Sequence, residues 1–494
     1  MGRKEEIVKE KLNKLNELKS KGINPYPYKF EVKNHSSEIK EKFKKIKTNA
    51  KTKNRVKIAG RIMVIRNLGK LIFSNLLDSE GKIQIILQNE ETPKEYFDLF
   101  EKYVDFGDIV GIEGIVMKTK TGEISVLVKK LEILAKSILP LPEKWHGLTD
   151  KEERYRKRYL DLIMNPEVKE VFKKRTLILD SIREFLKKRG FFEVETPYLQ
   201  TIYGGANARP FKTHLNALDM DLFLSISPEL YLKRLIVGGY EKVFTISRNF
   251  RNEGIDKWHN PEFTMMEIYE AYADYNDMMD LFEDIYEYCC KKVNCSTKIN
   301  INGKIIDFKK PWKRMTMFEA IKKYAGINVE NMTESEVYDF LKNNNIESEK
   351  KSWGLGVQEI FDNFCQNKIE QPTFILNYPL ETTPLCKLNR DDKLCRLIER
   401  FEPFCIGTEL GNAYSELNDP IMQRKLLEEQ QKMIAQGNEE AHPLDEDFLE
   451  ALEIGMPPTG GLGLGIDRMV MLLTGQNSIR DVIFFPFMKP KKEN

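Results

Sequence analysis

Only seven cysteines and five histidines are spread over the 494 residues of this chain. No two cysteines form a C-x-x-C pair and the histidines are scattered, so neither a zinc site nor a disulfide framework is expected. Cys289, Cys290, Cys295, Cys365, Cys386, Cys395 and Cys405 read as reduced thiols, mostly of the core. No uninterrupted apolar run approaches the ~20 residues of a membrane span, which excludes a helical membrane protein. Neither G-x-x-x-x-G-K-[ST] nor G-x-G-x-x-G occurs, so the two common phosphate-binding loops are absent. The first six residues lack an apolar signal core, and Glu6 stands where a myristoylation motif has Ser or Thr. The expected compartment is the cytoplasm.

With 41% hydrophobic and 31% charged residues the composition is globular, and the length suits about three domains of ~150 residues. The net charge of +2 hides an asymmetry. Residues 1–54 carry 16 Lys and Arg against 7 Glu and no Asp, a surplus of +9 that leaves −7 on the remainder. Such an arm reads either as a phosphate-directed nucleic-acid contact or as solvated helix.

Residues 5–20 place Ile7, Val8, Leu12, Leu15 and Leu18 at helical spacing, and Gly22, Pro25 and Pro27 end the segment. Short alternating stretches follow at 55–66, 71–77, 82–88, 108–117 and 124–134, with a helix at about 93–103. Five strands and one helix in that order predict an OB-fold barrel, a scaffold for single-stranded nucleic acid or oligosaccharide. The expected organisation is a basic helix and arm over 1–54, a barrel over 55–141, a linker over 142–165, and a large α+β domain over 166–494. In that domain Asn165 and Pro166 open a helix, strands at about 242–253 and 262–272 form a hairpin, a helix follows Asp274, and 296–352 reads as a Lys/Asn-rich insertion. Extended segments are expected at 372–380 and 401–417.

The hairpin holds the densest chemistry. Period two puts Arg251 and Glu253 on one face of its first strand, and Phe263, Met265, Glu267 and Tyr269 on one face of its second. Singly these read as surface ion pairs and a half-buried tyrosine. Together they offer a guanidinium for phosphate or carboxylate, an aromatic ring for stacking, and a carboxylate beside a phenol for an ammonium group. The run Gly460-Gly461-Leu462-Gly463-Leu464-Gly465 reads by itself as a glycine-rich turn. Arg468 at the start of the apolar helix that follows opposes the local dipole, and polyphosphate binding would explain it.

Phe250-Arg251-Asn252-Glu253 through Glu267 resembles motif 2 of the class II aminoacyl-tRNA synthetases, Gly460–Arg468 resembles motif 3, and Gly190–Pro197 the weaker motif 1. The HIGH and KMSKS sequences of class I are absent. Gly204-Gly205-Ala206, Ile226–Leu235 and Gly411–Asp419 resemble the lysyl-tRNA synthetases within class II, and the resemblance spans residues 55–490. It implies an OB-fold anticodon domain, a catalytic domain around a mainly antiparallel sheet, a homodimer formed through motif 1, and ATP, Mg²⁺, L-lysine and tRNA(Lys) as ligands.

The resemblance also implies roles. Arg251 would span the α-phosphate and the lysine carboxylate, Arg468 would meet the γ-phosphate, and Phe263 would stack on adenine with Glu253, His259 and Asn260 around the nucleotide. Glu402 and Glu409 would hold Mg²⁺, which requires a turn near Gly407 because seven residues of unbroken strand would put them on opposite faces. Glu416 and Tyr269 would meet the lysine ε-ammonium, Gly205, Glu229 and Glu267 would surround its α-amino end, and Asn412 and Tyr414 would lie beside it. Glu229 also suits the first turn of a helix. Arg66, Phe73, Gln84 and Glu123 would grip the anticodon, although Phe73 alone reads as core. Two other readings are a ligase joining lysine to a protein lysine, whose known forms resemble the catalytic domain alone, and a catalytically silent RNA-binding or signalling paralogue.

Overall fold

The computed structural model describes residues 2–142, 148–348, 352–438 and 440–491. The chain divides into two compact units, residues 1–147 and 148–494. In the first, β1 (Lys51–Asn67), β2 (Leu71–Leu77), β3 (Lys82–Gln88), β4 (Ile109–Lys118) and β5 (Ile124–Ala135) close a barrel in the order β1-β2-β3-β5-β4. Alternation drives this closure: Ile72, Leu76, Ile83, Ile85, Val110 and Ile112 are buried inside it. The expected ends of β2 and β3 match because Asp78 Oδ1 accepts from the backbone N–H of Glu80 (2.9 Å) and Gly81 (2.8 Å), which defines the turn between them.

The basic segment contains the expected first helix and packs on the barrel. Its helices, Arg3–Ser20 and Ser36–Lys42, send Leu18 and Ile39 into the barrel core, joined by Phe43 just past the second helix. Lys11 Nζ donates to the carbonyls of Phe106 (3.1 Å) and Ser137 (2.9 Å), so part of the positive charge is used in packing. The expected linker differs. Residues 143–147 lie outside the described part, and helices Lys151–Arg156 and Arg158–Met164 stand in the rest. Arg158 is buried there, donating to Asp161 Oδ2 at 2.6 Å and to the Arg480 carbonyl at 2.7 Å. These helices are too short to show a period in the sequence. Asn165 does not cap the next helix, Pro166–Lys188, with its side chain; its Nδ2 donates to Asp161 Oδ1 (2.7 Å).

The second unit is built on a nine-stranded sheet. From one edge its strands run Lys313–Thr316, Thr373–Leu376, Arg400–Cys405, Gly411–Ser415, Thr459–Gly465, Glu262–Ala271, Lys242–Phe250 and Phe192–Glu193, with Thr408–Glu409 folded back on Arg400–Cys405. The pairs at the two edges are parallel and the others antiparallel. One face packs Met266 and Ile268 against helices Pro166–Lys188, Tyr275–Asn294 and Ile466–Thr474. The other packs Tyr269 and Ala271 towards helices Glu229–Val237 and Trp353–Phe364.

One further expectation is corrected. The glycine-rich run is a central strand and not a turn. Its glycines are set by close approach, since a Cβ on Gly461 would lie 1.8 Å from Glu416 Oε1. The Lys/Asn-rich insertion supplies the edge strand Lys313–Thr316 and buries Ile321, Val329, Val337 and Leu341 in the second core. Its polar composition had concealed that stripe of apolar residues; 349–351 lie outside the described residues.

Candidate active site

A cavity of about 540 Å³ opens on the sheet face that carries Phe263, Met265, Glu267 and Tyr269, the alternate residues of the hairpin's second strand. All fifteen catalytic-unit residues singled out above line it: Gly205, Glu229, Arg251, Glu253, His259, Asn260, Phe263, Glu267, Tyr269, Glu402, Glu409, Asn412, Tyr414, Glu416 and Arg468.

Its acidic end is built from three elements. Glu267 and Tyr269 come from the hairpin, Glu229 opens the helix Glu229–Val237, and Glu416 directly follows the strand Gly411–Ser415. Glu267 accepts from Ser227 Oγ at 2.7 Å and from the Tyr269 hydroxyl at 3.2 Å. Burial, reinforced by Glu229, pushes its carboxyl up to about 8. Glu416 is wholly buried and is likewise pushed up to about 8, chiefly by desolvation, against the pull of Lys233. Lys233 had not been singled out as a site residue. Its buried ammonium donates to Glu229 Oε1 at 2.6 Å and lies 2.5 Å from Glu416 Oε2. The angle at Glu416 leaves neither of its oxygens with a well-directed hydrogen bond. Gly205 has φ +85°, and a Cβ there would press on Ser227 and Glu229.

The opposite end is cationic. The first hairpin strand ends at Phe250, so Arg251 stands just beyond it, and its N–H extends the ladder by donating to the Pro261 carbonyl (2.9 Å). Glu253 is in the exposed loop and does not share a strand face with Arg251, as period two had implied. The Arg251 guanidinium lies 5.1 Å over the Phe263 ring, and its buried Nε has no hydrogen-bond partner. Burial lowers its pKa, opposed by Glu253 and Glu409. Arg468 occupies the first turn of the helix Ile466–Thr474. Its Nη1 donates to the Glu409 carbonyl (2.8 Å) and carboxylate (3.2 Å), and Nη2 lies 3.3 Å from His259 Nε2. Asp467 fixes that helix start by accepting from the Thr264 N–H (2.7 Å) and from Arg175 (2.6 Å). His259 is in turn held by Asp256, 2.9 Å from its Nδ1, while Asn260 donates to the Glu262 carbonyl (2.7 Å).

Between the two ends stand Glu402 and Glu409. The chain turns at Ile406 and Gly407, both with positive φ, and pairs Phe404 with Glu409. Glu402 and Phe404 share a face by period two, so the turn brings both carboxylates to one side. Glu402 is held by the Tyr378 hydroxyl at 2.8 Å and by Arg400. Arg400 is a second residue missed in the sequence. It is buried, reaches Asn412 Oδ1 at 3.1 Å and lies 4.6 Å over the Tyr378 ring. Asn412 also donates to the Tyr414 hydroxyl at 2.5 Å. Burial first, then Glu409, raises the Glu402 carboxyl, with Arg400 opposing.

In the barrel a hollow of about 760 Å³ is lined by Arg66, Phe73 and Gln84. Arg66 pairs with Phe73 across β1 and β2, and Phe73 is half-buried on the outer face, not core. Gln84 Oε1 accepts from Ser125 Oγ at 2.8 Å. Glu123 is not brought into that lining; it is exposed and 3.5 Å from Lys40 Nζ.

A mainly antiparallel sheet bearing an arginine-ended hairpin, a glycine strand running into an arginine-bearing helix, and a separate five-stranded barrel define a class II tRNA synthetase. The family model described as tRNA synthetases class II (D, K and N) matches residues 150–489, and that of an OB-fold nucleic acid binding domain matches 56–134. Lysine–tRNA ligases from Methanoculleus marisnigri and Clostridium novyi are each 51% identical, over 97% and 98% of this chain and 94% and 95% of their own lengths. That of Carboxydothermus hydrogenoformans is 51% identical over 98% of both chains. The chain belongs to the lysine–tRNA ligase family of the class II synthetases.

Proposed function

We propose that this cavity binds L-lysine and ATP together, joins the lysine carboxylate to the α-phosphorus as lysyl-adenylate with release of pyrophosphate, and passes lysine to the 3′-terminal adenosine of tRNA(Lys). The observation that carries the reading is the polarity of the cavity. Glu229, Glu267 and Glu416 are buried together at one end, and Arg251 and Arg468 line the other. Lysine has two ammonium groups for the first end and a carboxylate for the second.

No enzyme nucleophile is required, so catalysis is positioning and electrostatic stabilisation. Arg251 has an unpartnered Nε and a planar fork suited to carboxylate and phosphate. Phe263 offers a face for adenine, with Glu253, His259 and Asn260 around the nucleotide. Arg468 takes the γ-phosphate, and Asn412 and Tyr414 flank the lysine stem. Glu402 and Glu409 form a hard-oxygen pair on one face, and no group of three ligating side chains occurs among the described residues. Such a pair fits Mg²⁺ completed by water and phosphate oxygens, which would offset phosphate charge.

Arg66, Phe73 and Gln84 suit unpaired anticodon bases, by stacking and edge hydrogen bonds. A homodimer through motif 1 is supported by Phe192, Tyr198, Leu199 and Tyr240, which are all exposed around the segment after the helix Pro166–Lys188. No helix among the described residues is long and apolar enough to cross a membrane, and the cytoplasm is the proposed compartment.

Lysine-dependent ATP–pyrophosphate exchange, followed by charging of tRNA(Lys), tests the reading. Exchange that responds equally to other amino acids, or not to lysine, would reject it.

A further inference from the structure

Lys233 is buried completely and lies four residues after Glu229, one helical turn along the same face. Its ammonium takes Oε1 of Glu229 and Oε2 of Glu416. Oε1 of Glu416 points instead towards Gly461 and Tyr269, where the absent Cβ of Gly461 leaves room, and it has no hydrogen-bond partner. Glu267 is satisfied differently, by the hydroxyls of Ser227 and Tyr269. When all are ionised, the three carboxylates and one ammonium carry a formal charge of −2, and lysine brings two positive ammonium groups.

We propose that Lys233 is a positioning residue for lysine recognition. Its ammonium bridges Glu229 and Glu416, turns one oxygen of each towards the cavity, and sets the pocket charge that the two substrate ammonium groups neutralise. This rests on the lysine-binding reading above. Without Lys233, three carboxylates would face two ammonium groups, and one would retain a proton to avoid an unpaired buried charge.

The other groups around Lys233 do not substitute for it. His442 is pushed down to about 4 by burial and by Lys233, so it is neutral near pH 7. Burial raises the Cys386 thiol and the Tyr269 and Tyr414 hydroxyls well out of the neutral range. Phe448 contributes a ring 5.9 Å from the ammonium, and Arg251 acts on Glu267, opposing the rise that burial causes there.

The test is lysine-dependent pyrophosphate exchange by the full chain between about pH 6.5 and 9, comparing the parent with Lys233→Met. For the parent, the KM for lysine should fall with rising pH and level off above about pH 8, where Glu267 and Glu416 ionise. For Lys233→Met it should be at least about tenfold higher at pH 7 and still falling at pH 9, with the KM for ATP within about threefold of the parent. The double variant Lys233→Met with Glu229→Gln removes one like charge, so the levelling should return towards pH 8. A raised KM with an unmoved pH profile would make Lys233 merely structural and overturn the proposal. So would failure of Lys233→Met, Lys233→Gln and the double variant alike to fold, judged by thermal melting. Exchange by the parent that does not need lysine would instead reject the underlying reading.

Discussion

Gly461 and Glu416 meet so closely that a Cβ on the glycine would sit 1.8 Å from the carboxylate oxygen Oε1. The strand Thr459–Gly465 therefore forms the floor of the acidic end, and the lack of a side chain at Gly461 is what gives Glu416 and Tyr269 their places. Gly461→Ala must push both aside. Overpacking of this kind costs about 1–3 kcal/mol. The expected outcome is a lower melting temperature together with a lysine KM at least about tenfold higher, while the KM for ATP changes little; exchange kinetics and thermal melting measure both.

Glu416→Gln keeps the shape and removes the charge. Breaking one partner of a desolvated charge pair costs about 2–5 kcal/mol, so the affinity for lysine should drop by about tenfold or more. ATP binding should be little changed, because Arg251, Phe263 and Arg468 are untouched. Parental lysine affinity in a folded variant would remove Glu416 from the pocket.

The raised carboxyls make a pH prediction with a definite sign. In the folded protein Glu267 and Glu416 titrate at about 8, well above an unfolded glutamate. Between those values the folded state binds more protons than the unfolded state, so this contribution to stability is fully present at low pH and is lost as pH rises through about 8. Ligand-free protein should melt at progressively lower temperature from about pH 6 to 8, and Glu416→Gln should flatten that slope. Lysine binding pulls the same carboxyls down, so at pH 7 it should release protons, measurable by calorimetry in buffers of different ionisation enthalpy.

Arg468 is held by Glu409 and stands beside His259, on a helix start anchored by Asp467 to the hairpin. Arg468→Ala should lower adenylate formation by about 10²–10³, the usual loss for one charge-assisted donor in such a site. The fold should persist, since Asp467 and not Arg468 makes the anchoring bonds. Exchange within threefold of the parent would exclude a phosphate-binding role.

Phe73→Ala should weaken charging of tRNA(Lys) and leave pyrophosphate exchange intact. A lost base stack costs about 1–3 kcal/mol, and Phe73 lies on the outer barrel face, not in its core. Equal loss in both assays would contradict this division.

Much of the architecture was legible because it rests on local chemistry. Alternating apolar residues marked the barrel strands, and Asp274 marked a helix start that it indeed caps, accepting from the Asn276 N–H at 2.8 Å. The required turn near Gly407 could be deduced from period two alone. Lys233 left a signal that was passed over, its four-residue spacing from Glu229, whereas Arg400 had only its two-residue distance from Glu402 to recommend it.

The amino-acid sequence by itself determined the strand and helix periods, the polar residues of the hairpin and the family pattern, because each depends on residues near one another in the chain. Tertiary structure alone decided which of them act together. Arg175 reaches Asp467 across 292 residues and so fixes the helix start that carries Arg468. Lys233 bridges Glu229 and Glu416 from a helix and a distant strand end. The glycine run became a strand for the same reason: only packing against the hairpin and the strand Gly411–Ser415 supplies the hydrogen bonds that hold such a flexible segment extended.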